Sequence, residues 1–222
     1  MAMKAVLFDL DNTLIDFMHM KKISCEAAIS AMVDAGLKME KQAAYDLLFE
    51  LYGVHGIEHQ EIFQKFLEKA TGKVDYKILS RGINAYRKMQ AGYLEPYPHV
   101  RSTLICLKGK GLKLGIVSDA PKLKAWMRLT EIGLADFFDV VVTLGDTGRR
   151  KPHAMPFRAA IRALGMKPEE ILFVGDNPMR DIEGAMKIGM KTALAKYGQI
   201  FPDSGGKADY ELKDIAELER IV

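Results

Sequence analysis

The sequence predicts an α/β protein: a parallel sheet with helices on both faces, interrupted early by an all-helical insertion. Three observations carry this expectation. Short, nearly continuous apolar runs at 5–8, 112–117, 140–142 and 171–174 alternate with helical patterns, as strands buried on both sides do. Residues 16 to about 92 show helical periodicity and no clear strand pattern. The distinctive polar residues all fall just past the ends of predicted strands, where open parallel sheets bind ligands.

Taken in order, Ala5-Val6-Leu7-Phe8 reads as the first strand and leads into Asp9-Leu10-Asp11-Asn12-Thr13-Leu14. Four amphipathic helices are then expected near 20–36, 40–53, 58–71 and 75–91, punctuated by Gly36, Gly53, Gly56 and Gly72. In the third, Ile62, Phe63, Phe66, Leu67 and Ala70 share one face. Glu95-Pro96-Tyr97-Pro98 reads as a return hinge. The domain boundaries are therefore expected at 1–15 with 93–222 for the sheet domain, and 16–92 for the insertion.

Beyond the hinge, a helix near 98–109 precedes a strand that ends at Ser118-Asp119, and Pro121 suits the first turn of the next helix. Val140-Val141-Val142 is followed by a loop to Lys151-Pro152 and a helix near 154–164. Ile171-Leu172-Phe173-Val174 ends at Gly175-Asp176, and a helix is expected near 179–188. A strand at 191–194, an edge strand near 208–211 and a terminal helix complete the chain.

Of the 222 residues, 49% are hydrophobic and 27% charged, enough material for a sizeable core. The net charge of +3 is small beside 32 basic and 29 acidic residues, which points to neither nucleic acid nor a membrane surface as partner. Cys25 and Cys106 form no Cys-x-x-Cys pair, so buried thiols in a reducing cytoplasm are expected. With a strand starting by residue 5, no secretory leader fits ahead of it, and no apolar run reaches membrane-spanning length. Monomer and homodimer both remain open.

Alternate residues of an extended chain point the same way, so Asp9 and Asp11 project toward one small volume. Two carboxylates that close repel one another and call for a proton or a cation. Mg²⁺ accepts one or two carboxylates together with phosphate and water. Alone, the pair is equally compatible with an ordinary strand-to-turn exit. The other strand ends change that balance. Asp176 supplies further acid. Asp181 reads as a helix-cap acid, a metal contact, or a residue just behind the direct ligands. Lys151 is a natural phosphate partner, although most lysines are solvated. Ser118 can donate a hydroxyl to phosphate or serve its own turn. Asp9 as nucleophile and Asp11 as general acid and base would complete the chemistry.

With these positions assembled, the chain resembles the haloacid dehalogenase superfamily. Asp9 to Leu14 matches its first motif, Ser118 the second, Lys151-Pro152 the third, and Gly175-Asp176-Asn177 with Asp181 the fourth. The resemblance implies a Rossmann-like core with a helical cap of the first class. It also implies Asp9 as nucleophile passing through an aspartyl-phosphate. Asp11 would be the acid/base, with its backbone carbonyl on Mg²⁺. Ser118, Asp119 and Lys151 would hold the phosphoryl group. The metal would rest on Asp9, Asp11 and Asp176, with Asp181 nearby. Asp119 stands where relatives often have Asn. The dehalogenases lack an acid at the position of Asp11, which favours a phosphatase acting on a small phosphorylated metabolite. A phosphomutase, a 2-haloacid dehalogenase and a non-catalytic binding protein are the alternatives. Asp16, Phe17 and His55, the last in a presumed loop over 51–59, are the candidate specificity residues.

Overall fold

The computed structural model describes residues 3–200 and 206–222. The chain divides into two compact units, Met1–Phe17 with Glu95–Val222, and Met18–Leu94. The first unit is built on six strands: β1 (Ala5–Phe8), β2 (Lys113–Val117), β3 (Val140–Val142), β4 (Ile171–Gly175), β5 (Lys191–Ala195) and β6 (Tyr210–Leu212). The helices, in chain order, are α1 (Phe17–Asp34), α2 (Lys41–His55), α3 (Ile62–Thr71), α4 (Tyr76–Tyr93), α5 (Val100–Gly109), α6 (Lys122–Glu131), α7 (Leu144–Thr147), α8 (Ala154–Leu164), α9 (Glu183–Met186) and α10 (Leu218–Ile221).

All strand pairings are parallel, in the order β3-β2-β1-β4-β5-β6. β1 is central and fully buried, so its side chains serve both faces. Ala5 and Leu7 pack with Val117, Ile171 and Phe173 against Phe157 and Ala160 of α8 and Ala185 of α9. Each such large side chain contributes about 1.5–3 kcal/mol by leaving water. α5 packs against β2 and buries Val100, Leu104 and Leu107. The order of strands reverses direction between β1 and β4, which is the switch point where such sheets open a crevice. Register brings Phe8 level with Ile116 and Val174. Asp9, Ser118 and Asp176 therefore emerge at one rim.

The opposite ends of the strands are clamped by aspartates. Asp139 accepts from the Leu114 N–H at 2.9 Å, Lys113 Nζ at 2.9 Å and Lys108 Nζ at 3.1 Å. Partial burial pushes its pKa up, but the Leu114 N–H and the two ammonium groups outweigh this and hold it at about 2. A carboxyl whose folded pKa lies below its ordinary 3.8 stabilises the fold above that value, and the gain is lost as pH falls toward 2. Asp139→Asn is expected to cost about 1 kcal/mol at pH 7, allowing for solvent screening. Denaturant unfolding of both proteins at pH 7 and pH 2 checks this, and a gap that persists at pH 2 would refute the electrostatic account.

In the second unit, α1 to α4 enclose their own core. Cys25, Met32, Leu48, Tyr52, Ile62, Phe63, Phe66, Leu67 and Leu79 are among its buried residues. Ala70 is partly buried against them, completing the expected stripe of α3. Lys21 is buried there, donating to the Tyr86 hydroxyl at 3.0 Å and lying over the Tyr52 ring. Both cysteines are free thiols, and Cys25 is the buried one.

Three local expectations need correction. Residues 51–55 are not a loop, because α2 continues to His55 and stops at Gly56, whose φ of 91° favours glycine. A regular helix over 179–188 does not form. Pro178–Ile182 is instead a wide turn with π-type bonding, and α9 adds a single turn. The Asn177 side chain caps the start of the wide turn, accepting from the Met179 and Arg180 N–H groups, and the Ile182 N–H reaches five residues back to the Asn177 carbonyl. The loop after β3 holds the one-turn α7, closed by Asp146 accepting from the Thr143 N–H and hydroxyl.

Candidate active site

β1 ends in a tight turn. Leu14 N–H returns to the Leu10 carbonyl at 2.9 Å, and Asn12 N–H donates to the Ile15 carbonyl at 2.8 Å. Asn12 takes the left-handed conformation (φ 59°), which Asn tolerates better than most residues. The turn is braced by the segment after β5. The Tyr197 hydroxyl donates to the Thr13 carbonyl at 2.8 Å, and a side chain at Gly198 would collide with the Asn12 carbonyl. No sequence pattern pointed to Tyr197 or Gly198.

Asp9 leaves this turn almost wholly buried, and Lys151 meets it. Lys151 Nζ donates to Asp9 Oδ1 at 2.5 Å, to the Val117 carbonyl at 2.8 Å, and pairs with Asp181 Oδ1 at 2.7 Å. Burial works against its charge, but Asp181, Asp9 and Asp119 outweigh it and raise its pKa. Asp119 carries part of this arrangement. Its Oδ1 accepts from the Lys151 N–H at 2.9 Å, and its Oδ2 lies 3.6 Å from Arg180 Nη1. The Asp119 carboxylate thus ties the end of β2 to the Lys151 loop. Ser118 is buried, and its Oγ accepts from the Ala120 N–H at 3.1 Å.

The wide turn after β4 aims Asp181 inward. Its Oδ2 accepts from the Asn177 N–H at 3.0 Å. Its Cβ lies so close under Gly175 that any side chain there would displace it. Asp9, Asp176 and Asp181 offer carboxylate oxygens that all lie within 4.8 Å of one another. Both oxygens of Asp176 are buried without a hydrogen-bond partner among the described residues. Burial first, then Asp181 and Asp9, push its pKa up to about 9. Three carboxylates face one ammonium, leaving two negative charges in excess when all are ionised. Arg128 pairs with Asp11, while Arg180, 3.6 Å from Asp119, also acts electrostatically on Asp176 and Asp181. One divalent cation with oxygen preference fits that charge and that donor set. The Asp11 side chain is not part of the cluster; its Oδ2 accepts from Arg128 Nη1 at 2.6 Å.

Removing one acid from the cluster should separate folding from metal binding. Without divalent cation at neutral pH, Asp176→Asn is expected to be more stable than the natural protein by about 1–3 kcal/mol, since folding no longer has to protonate a carboxyl that is ionised in the unfolded chain. Mg²⁺ should then raise the melting temperature of the natural protein and leave the variant nearly unchanged. Thermal unfolding in chelator and in Mg²⁺ reads this directly, and equal metal responses would count against a site at Asp176.

A family profile described as haloacid dehalogenase-like hydrolase matches residues 6–195. The chain belongs to that family. A glyceraldehyde 3-phosphate phosphatase of Methanocaldococcus jannaschii is 35% identical over 222 residues, spanning 99% of this chain and 96% of that protein. One from Methanothermobacter thermautotrophicus is 36% identical over 225 residues, covering 99% and 100%. Among solved structures, a haloacid dehalogenase-like phosphatase from Thermococcus onnurineus superposes with a TM-score of 0.68 at 30% identity, covering 99% of this chain and 97% of that one.

Within this family member, the specificity candidates fall in different settings. Asp16 sits in the hinge, where burial and then the nearby Asp16 carboxylate raise the pKa of Tyr97. Phe17 is buried beneath the Arg128 guanidinium, 4.4 Å from the ring centre. His55 is exposed at the last turn of α2, its ring 5.2 Å from that of His59. Arg128, like Tyr197, Gly198 and Arg180, lies at the site without a signal that singled it out in the sequence. The hint at Arg128 was a cation on the same stripe of α6 as Ala125 and Leu129, since a buried arginine needs a partner.

Proposed function

We propose that this chain is a phosphatase that hydrolyses a small phosphorylated metabolite through an aspartyl-phosphate on Asp9, with glyceraldehyde 3-phosphate as the first substrate to test. The observation that carries the reading is the cluster of three buried carboxylates at Asp9, Asp176 and Asp181, with a second acid two residues past Asp9 and held apart from it. The relatives' names support the substrate class.

Asp9, Asp176 and Asp181 are the side chains that would hold Mg²⁺, with the Asp11 carbonyl beside them. When bound, the cation neutralises the carboxylates and the phosphate oxygens so that anion can approach anion. Lys151 Nζ and the Ser118 hydroxyl hold the phosphoryl group. Asp9 Oδ2 attacks phosphorus in line with the ester oxygen. The phosphorus–oxygen bond breaks, and Asp11 gives its proton to the departing alkoxide. Asp11 then takes a proton from a water, whose oxygen attacks phosphorus and frees Asp9. The products are an alcohol and inorganic phosphate.

The test is phosphate release from glyceraldehyde 3-phosphate and a panel of other small phosphate esters in the presence of Mg²⁺. Release of stoichiometric phosphate and alcohol is expected. Isomerised product without free phosphate would indicate a mutase, and no turnover with any divalent metal would end the proposal. No helix among the described residues is long and apolar enough to cross a membrane.

A further inference from the structure

Arg128 occupies a costly position. Only 6% of its side chain is exposed, and burying a guanidinium costs several kcal/mol unless it is well paired. Its helix and two neighbouring side chains help to hold it. Ala125 and Leu129, both buried, seat its helix α6. The buried ring of Phe17 lies under its flat face at 4.4 Å. Its Nη1 donates to Asp11 Oδ2 at 2.6 Å. Asp11 stands on a turn, and its side chain is 22% exposed against 6% for Arg128.

We infer that Arg128 is a positioning residue that fixes the Asp11 carboxyl group in the orientation from which it passes a proton to the leaving oxygen. The inference rests on the phosphatase reading above. The proton moves from Asp11 to the ester oxygen as the phosphorus–oxygen bond breaks, and no other reactant is required. An alkyl ester needs that proton, because an alkoxide is a poor leaving group. A nitrophenyl ester does not, because nitrophenolate departs unaided. A residue that acts through Asp11 must therefore matter more for the first ester than for the second.

The experiment compares kcat/KM for glyceraldehyde 3-phosphate and for p-nitrophenyl phosphate in the natural protein, Arg128→Ala, Asp11→Asn and the double variant, all with Mg²⁺. Arg128→Ala is expected to lower kcat/KM about 10- to 100-fold for the alkyl ester, a share of the usual general-acid contribution, and less than about threefold for the aryl ester. Adding it to Asp11→Asn should change little further, because the two act as one unit. Arg128→Lys keeps the cation but loses the flat fork, and should fall between.

Equal losses on both esters, or losses that multiply in the double variant, would overturn the inference and leave Arg128 a purely structural residue. Should Arg128→Ala fail to fold, Arg128→Lys carries the comparison, and an unchanged preference between esters in that variant would overturn it. A natural protein that releases phosphate from neither ester defeats the phosphatase reading itself, whereas an Asp11→Asn protein that keeps the alkyl-ester rate overturns the inference. The first of these failures shows before any Arg128 variant is measured.

Discussion

Asp9→Asn is expected to reduce phosphate release by on the order of 10⁴- to 10⁶-fold, the range seen when a covalent nucleophile is removed from an enzyme. The substitution is nearly isosteric, so the turn from Leu10 to Leu14 and its brace at Tyr197 should persist. An amide cannot take up phosphorus as a carboxylate does, and it leaves Lys151 with Asp181 as its remaining carboxylate partner. It also halves the negative excess of the cluster, so more Mg²⁺ should be needed for half-saturation. Phosphate release and metal titration of the same preparation test both parts. A variant retaining a tenth of the natural rate would exclude Asp9 as the nucleophile.

The second large effect is on the fold. Lys151→Met is expected to destabilise the metal-free protein by about 3–5 kcal/mol, the range for removing one partner of a buried ion pair. At roughly 2–4 °C per kcal/mol for a chain of this size, the melting temperature should drop by about 10 °C. Lys151 Nζ is shared by two carboxylates and the Val117 carbonyl, and its side chain is 2% exposed, so water cannot replace it. Because a divalent cation supplies part of the missing positive charge, Mg²⁺ should recover some of the lost stability while activity stays absent. An unchanged melting temperature in chelator would show that the ammonium does not balance the cluster.

The sheet and the strand-end residues were legible because their signals are local. Three apolar runs lead within two residues to Asp9, Ser118 and Asp176, and strand geometry alone sends those residues to one rim. The pairing of Asp9 with Asp176 followed from the same rule, since both lie one residue past β1 or β4. What the sequence hid depends on distant partners. Arg128 lies within an ordinary amphipathic helix, and its partner Asp11 is 117 residues away. Gly198 matters through the Asn12 carbonyl, a backbone atom that leaves no trace in residue type. The wide turn at Pro178–Ile182 was read as regular helix because Asn177 and Asp181 look like a common cap and a common first-turn acid. Their inward aim is set by Gly175 and Lys151, which helical periodicity does not record.

Leu14 to Asp16 and Glu95 to Tyr97 run side by side, with the Tyr97 N–H on the Leu14 carbonyl at 2.9 Å, the Asp16 N–H on the Glu95 carbonyl at 3.3 Å, and an antiparallel bridge between Ile15 and Pro96. The excursion thus departs and returns through a single fastened doorway. Closing a loop of any length across that doorway changes the entropic cost only logarithmically. Descendants of this gene are free to lengthen, shorten or rewrite the stretch between the doorposts, while the strands that carry the acids keep their places.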